Sequence, residues 1–204
     1  MQNLTIDGPV GPLEARFELA ENAVPDGPAA LLAHPHPQMG GTMHDAVLDI
    51  VSSVLLDRGI SCLRFNFRGA GASAGAFDGG DGECEDLVAA LNWVGSQSSS
   101  PVWLAGYSFG SWIGWRVAAA APVAIERIIM IAPPIGMLDY PDRDDHNVPA
   151  QIIHGGSDDF VNAATVRDWA ERNATETPVE IAGADHFFRS HSQALRESVA
   201  AAVA

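Results

Sequence analysis

Lysine is absent from this 204-residue chain. Its 11 basic residues are all arginine, set against 26 aspartates and glutamates for a formal net charge of −15. An acidic field of that size repels phosphate backbones and anionic bilayers, so neither nucleic acid nor membrane is an expected partner. The acidity reads as a solvated surface rather than a cation-binding device. Without lysine there is also no G-x-x-x-x-G-K-[ST] phosphate loop, whatever the glycine content suggests. Cysteine is nearly absent: Cys62 and Cys84 do not make a disulfide framework and are read as free thiols. No run reaches the ~18 apolar residues of a membrane span. The stretch "MQNLTIDGPVGPLEARFEL" has no basic segment followed by a continuous apolar one, so a cytoplasmic location is expected. Internal repeats and low-complexity linkers are missing too, and "GSQSSSP" (95–101) is short enough to be a surface loop. One domain over residues 1–204 is the expectation at this length.

What is present is an alternation of short β-rich runs with helical patterns, the signature of an α/β fold on a mostly parallel sheet. The spacing predicts strands over 4–6, 13–19, 29–34, 61–67, 102–107, 127–132, 150–155 and 179–183. The first two, joined by "DGPVGP", read as an antiparallel hairpin. The later runs are apolar throughout, as strands covered on both faces should be. Helices are predicted over 44–57, 81–94, 108–120, 163–173 and 190–203. In the first of these, Val47, Ile50, Val51, Val54 and Leu55 share one face and Gly59 is a stop. The five tryptophans (Trp93, Trp103, Trp112, Trp115 and Trp169) read as core, with Trp112 and Trp115 the two that could also line a cleft.

The stretch "VWLAGYSFGSWIGW" (102–115) sets Ser108 between Gly106 and Gly110, directly after a strand and directly before a helix. A serine in G-x-S-x-G at such a junction sits on a strained turn. The flanking positions must be small where strand and helix crowd together. A glycine-rich turn with a serine cap would match the pentapeptide equally well, but it requires nothing downstream. A nucleophile requires an acid and then a histidine, each after a later strand. "GSDD" follows the 150–155 strand and "ADHFF" follows the 179–183 strand. Asp158 is the first candidate acid, then Asp159, then Asp185, whose position beside the histidine suits a turn. His186 is the candidate base. His191 falls inside a predicted surface helix, His154 ends a strand as a structural histidine, and His44 and His146 have no distinguishing context.

Four longer motifs accompany these residues: "HPHPQMGGT" (34–42), "LRFNFRGAGASAGAFDGGDGE" (63–83), "GYSFG" (106–110) and "DHFF" (185–188). In this order they resemble the α/β-hydrolase superfamily, and within it a group of small, lid-less bacterial serine hydrolases, over nearly the whole chain. The resemblance implies an α/β-hydrolase fold with a mostly parallel eight-stranded sheet, helices on both faces and no lid or cap domain. It implies Ser108 as nucleophile, His186 as base and Asp158 as acid, the last from "HGGSDDFV" (154–161). An oxyanion hole needs two N–H donors. One is expected from Phe109, after the nucleophile, and one from the loop after the third strand, where Pro35 and Pro37 cannot donate. By comparison with related hydrolases that second donor is His36, with Gln38 as the alternative. The rings of His34 and His36 would otherwise pack under the loop. His34-x-His36 lacks a third ligand at sensible spacing, so no metal is expected, and no cofactor is needed. The glycine-rich stretch 67–83 reads as an ordered scaffold loop beside the cleft, with Arg68 paired to Asp78 or Glu83.

The activity implied is hydrolysis of a small-molecule carboxylic ester through an acyl-enzyme. Segment 133–149 leaves little room for a lid, so an open, shallow cleft and short-chain or small esters are expected. Peptide, thioester or lactone cleavage is the alternative within serine-hydrolase chemistry, and a non-catalytic binding protein that kept the fold is the alternative outside it.

Overall fold

The computed structural model describes residues 1–24, 26–142 and 148–203. His146 therefore lies outside the described residues. The eight predicted strands and five predicted helices all occur: β1 (Gln2–Gly8), β2 (Gly11–Glu18), β3 (Ala29–Ala33), α1 (Ala46–Asp57), β4 (Ser61–Phe65), α2 (Asp81–Gly95), β5 (Val102–Tyr107), α3 (Phe109–Ala118), β6 (Ile125–Ile131), β7 (Ala150–Gly155), α4 (Ala163–Arg172), β8 (Val179–Ile181) and α5 (Ser192–Ala202). They build one eight-stranded sheet in the order β1-β2-β4-β3-β5-β6-β7-β8. β1 and β2 form the hairpin and β2 runs antiparallel to β4, whereas every other pairing is parallel.

Burial follows from this layering. β2 alternates, with Leu13, Ala15 and Phe17 inside, because one of its faces is wetter. β3, β4 and β7 are buried at every position, since helices cover both sides. α1 and α5 cover one face through Val47, Leu48, Val51, Leu55, Leu195 and Val199. α2 and α3 cover the other through Leu87, Leu91, Ile113 and Val117. α4 extends this second layer, with Trp169 edge-on to Trp115 at 4.8 Å between ring centroids.

Strand order explains where a site can form. From β3 the chain crosses through α1 to β4 on one side, then returns through α2 to β5 on the other. The carboxyl ends of β3 and β5 therefore flank a point where connections leave in opposite directions, and an open crevice results. The segments after these two strands carry "HPHP" and Ser108.

Several element boundaries shift from the sequence expectation, α1 among them, which begins at Ala46 rather than residue 44, and three further departures follow. β4 stops at Phe65 rather than residue 67, because the Phe67 N–H leaves the sheet to donate to His34 Nε2 at 3.0 Å. A 3-10 turn over Pro37–Met39, too short to give a periodic pattern, follows β3. His191 is not inside a helix but precedes α5 as its cap residue. Between β6 and β7 the described residues form no helix or strand, and both Trp112 and Trp115 act there. Trp112 Nε1 donates to the Asp139 carbonyl at 2.7 Å and Trp115 Nε1 to the Pro141 carbonyl at 2.8 Å, tying that connection to α3. Among the described residues no helix is long and apolar enough to cross a membrane.

Candidate active site

Ser108 leaves β5 with φ 50° and ψ −118°, a left-handed conformation that non-glycine residues seldom hold. Its N–H donates to the Ile131 carbonyl of the neighbouring strand at 2.8 Å, and its carbonyl accepts from both the N–H (2.9 Å) and the hydroxyl (2.6 Å) of Ser111. Ser111 Oγ is in turn 2.8 Å from the buried Tyr140 hydroxyl. These bonds over-determine the turn, which is how strain persists at one residue. The glycines matter for closeness. A Cβ at Gly106 would stand 2.5 Å from the Gly110 carbonyl, and one at Gly110 would stand 2.3 Å from the Ala33 carbonyl. No side chain fits at either position, so the start of α3 can lie directly against the end of β3.

Two further loops converge on the serine. After β7, Ser157 N–H donates to the Ala184 carbonyl, and after β8, Phe188 is wholly buried among Ile181, Ala184 and Leu195. The 182–188 loop is thus anchored by one phenylalanine while its neighbour Phe187 stays exposed. His186 stands with Nε2 3.0 Å from Ser108 Oγ and Nδ1 2.7 Å from Asp158 Oδ2. Asp158 Oδ1 accepts from the N–H groups of Phe160 (2.8 Å) and Val161 (3.1 Å), and its side chain is fully buried. An ionised carboxylate only accepts, so the proton of the shared bond belongs to His186 Nδ1. Nε2 is left as the acceptor facing the serine hydroxyl. Tyr107 donates its hydroxyl to the His186 carbonyl at 3.0 Å, which fixes the backbone behind the ring. Asp159 points to solvent, and Asp185 accepts from Arg189 N–H as a turn residue. His154 is buried, with Nδ1 3.2 Å from the Gly155 carbonyl, and takes no part.

On the other side of Ser108 lies the loop after β3. Phe109 is the first residue of α3, so its N–H has no acceptor within the helix. His36 N–H has no protein partner among the described residues, whereas Gln38 N–H donates to His36 Nδ1 at 3.2 Å. The His36 ring does not pack under the loop. It is half-buried, lies 4.6 Å from the Phe77 ring and 4.9 Å from that of Phe109, and lines the cleft.

His34 does pack beneath the loop. Its Nε2 accepts from Phe67 N–H, so the proton sits on Nδ1, which donates to the Pro35 carbonyl at 2.6 Å. That carbonyl is also why residue 41 is glycine, since a Cβ there would stand 2.1 Å from it. Burial lowers the His34 pKa from 6.5 to about 4. Between those two values the unfolded chain binds a proton that the folded protein refuses, so stability falls as the pH is lowered through this window. A loss of roughly 3 kcal/mol from pH 7 to pH 4 is expected from this group. Urea denaturation across that range checks it, because His34→Gln should flatten the slope relative to wild type.

The glycine-rich stretch is a scaffold in which Asp78, one of the two expected partners of Arg68, is only its most distant one. Arg68 makes its main pair with buried Asp86 (2.8 and 3.0 Å), then Glu85 at 3.2 Å, with Asp78 at 3.8 Å. Glu83 does not pair with Arg68 but accepts from the N–H groups of Asp78 (2.9 Å) and Gly80 (2.7 Å). The loop thereby holds Phe77 against His36.

The result is a cleft of about 310 Å³. Ser108, Phe109, His36 and His186 line it together with Met39, Met137, Leu138, Phe160 and Phe187. Trp112 and Trp115 are not among its lining residues. Asp45 and Tyr107, both missed in the sequence, are. Among the described residues no cluster of three His, Cys, Asp or Glu side chains could hold a metal ion. Cys62 is buried, its thiol pushed up to about 12, and Cys84 lies away from the cleft.

Residues 14–198 match the family profile described as X-Pro dipeptidyl-peptidase (S15 family). An uncharacterized protein of Rickettsia prowazekii is 33% identical over 210 residues, covering 98% of this chain and 87% of its own. A serine hydrolase of Xanthomonas campestris, described as an α/β fold without lid, is 38% identical. It superposes with a TM-score of 0.88 over 99% of this chain and 93% of its own. An α/β serine hydrolase homologue from Coxiella burnetii gives 34% identity and a TM-score of 0.89 over 100% and 97%. The Xanthomonas protein is described as lacking a lid, and in this chain the described residues between β6 and β7 form no helix or strand.

Proposed function

This chain belongs to the S15 family within the α/β-hydrolase superfamily and is an α/β serine hydrolase, and from that premise we propose that it hydrolyses small carboxylic esters through Ser108, His186 and Asp158. The observation that carries this reading is the continuous hydrogen-bonded line from Ser108 Oγ through His186 to Asp158, open to an apolar cleft. Ser108 Oγ attacks the carbonyl carbon while its proton passes to His186 Nε2. Asp158 stabilises the imidazolium that forms. The N–H groups of Phe109 and His36 hold the negative oxygen. Collapse expels the alcohol, which takes the proton from His186. A water then attacks the acyl-enzyme with His186 as base, and the carboxylic acid leaves.

The cleft supports small substrates. Its volume is at the lower end for ligand pockets, and four exposed apolar side chains, Met39, Met137, Phe160 and Phe187, stand at its rim rather than enclosing a tunnel. A p-nitrophenyl acetate or butyrate should be turned over at least ~10-fold more efficiently, in kcat/KM, than the palmitate, the scale of a few unaccommodated methylenes. A preference for palmitate would overturn this part of the reading. The family description favours a second reading, peptide cleavage after proline. Gly-Pro-p-nitroanilide in the same substrate panel separates the two, since only a proline-directed peptidase turns it over faster than the acetate.

A further inference from the structure

Among the described residues Asp45 is the one carboxylate that lines the cleft with Ser108, and no step of the proposed reaction uses it. It caps α1: Oδ1 accepts from Val47 N–H at 2.8 Å. The Leu48 N–H also acts on this carboxylate, so its partners are backbone N–H groups, which carry no net charge. Among the described residues no arginine or histidine nitrogen lies within ion-pairing distance of Asp45, although ten other acidic side chains make such pairs. The remaining lining residues carry no cation other than a protonated histidine: they are apolar side chains, glycines, Tyr107, Ser108, His36 and His186. A half-buried carboxylate with no ion-pair partner therefore faces an otherwise apolar space, where screening is weak; the nearby charges are Asp158 behind the His186 ring and Arg189, whose guanidinium lies 4.5 Å from the Phe187 ring at the rim. Burial raises the Asp45 pKa and neighbouring Asp49 adds to the rise, against the opposing effects of the Val47 and Leu48 N–H groups and of His186.

We propose that Asp45 sets the charge preference of the cleft: it turns away anionic substrate groups, helps expel the carboxylate product, and favours neutral or cationic groups. The product part rests on the ester-hydrolysis reading, because that reaction ends with a new anion in the cleft. The oxyanion donors alone would hold such a product. A fixed carboxylate across the cleft opposes them.

The substitution Asp45→Asn isolates the charge, since asparagine caps a helix as well as aspartate does. Two probes of equal length, hexanoate and hexylammonium, are titrated by NMR into Ser108→Ala and into Ser108→Ala/Asp45→Asn. Hexylammonium should bind the first variant about tenfold more tightly than hexanoate, and the two affinities should come within about twofold of one another in the second. The global charge of −15 changes by one, so a preference that is only a general field survives the substitution; an unchanged ratio overturns the proposal. In the otherwise wild-type enzyme, inhibition of p-nitrophenyl butyrate hydrolysis by hexanoate should strengthen by a similar factor on Asp45→Asn. Absence of ester turnover in the wild type overturns the ester reading instead, and the binding titration still decides the role of Asp45.

Discussion

Replacing Ser108 by alanine should lower kcat for p-nitrophenyl butyrate by about 10⁴-fold or more while leaving the fold intact. The size of the effect follows from what the hydroxyl does. Among the described residues it is the lining oxygen held 3.0 Å from His186 Nε2, so without it the imidazole has no serine proton to accept and no covalent intermediate forms. Residual rate would come from the N–H donors of Phe109 and His36 acting on water. The backbone at 108 keeps its contacts, because the bonds that hold the turn run through its N–H and carbonyl to Ile131 and Ser111. Thermal unfolding should therefore change little. A variant that keeps a tenth of wild-type kcat would remove Ser108 from the reaction.

The second large effect belongs to Asp158. In Asp158→Asn the amide can donate toward His186 Nδ1, which turns that nitrogen into an acceptor and moves the ring proton to Nε2. Nε2 then faces the serine hydroxyl as a donor and cannot take its proton. A fall of about 10⁴-fold in kcat with little change in KM is expected, measured with the same ester and with circular dichroism to verify folding. Asp159→Asn, one residue on, should leave kcat within about twofold, since that side chain points to solvent. If the two variants behaved alike, the geometry around His186 would not be the working one.

Why the sequence reading separated Asp158 from Asp159 only by rank is visible in the turn after β7. Both are acids in the same loop, and the choice is made by where the backbone directs them. Asp158 alone reaches back over the N–H groups of Phe160 and Val161 while its second oxygen meets an imidazole 28 positions away. The serine turn was legible because its constraints are local. Gly106 and Gly110 are demanded by strand and helix crowding that a short pattern encodes. His36 against Gln38 was less legible, since what removes Gln38 as a donor is the ring of His36 folding onto its N–H within a three-residue turn.

Partners fixed by tertiary register were the hardest to read. The sequence pairs Arg68 with acids near the loop, yet its main partner Asp86 lies on the second turn of α2, 18 positions away. Asp45 is hidden in the sequence because the periodic pattern starts the first helix at residue 44, two residues before α1 begins. With α1 starting at Ala46, the aspartate before it is a cap, and a cap at the carboxyl end of a parallel sheet faces the crevice. The periodic elements, by contrast, announce themselves: uniform apolar runs for β3, β4 and β7, and a clear stripe for α1.

The most direct test of the central claim is the intact mass of the protein after reaction with a fluorophosphonate. A single adduct on wild type, mapped to Ser108 and absent from both Ser108→Ala and the unfolded wild type, is the predicted result. A folded wild-type protein that takes no label, or takes it at another serine, would contradict it.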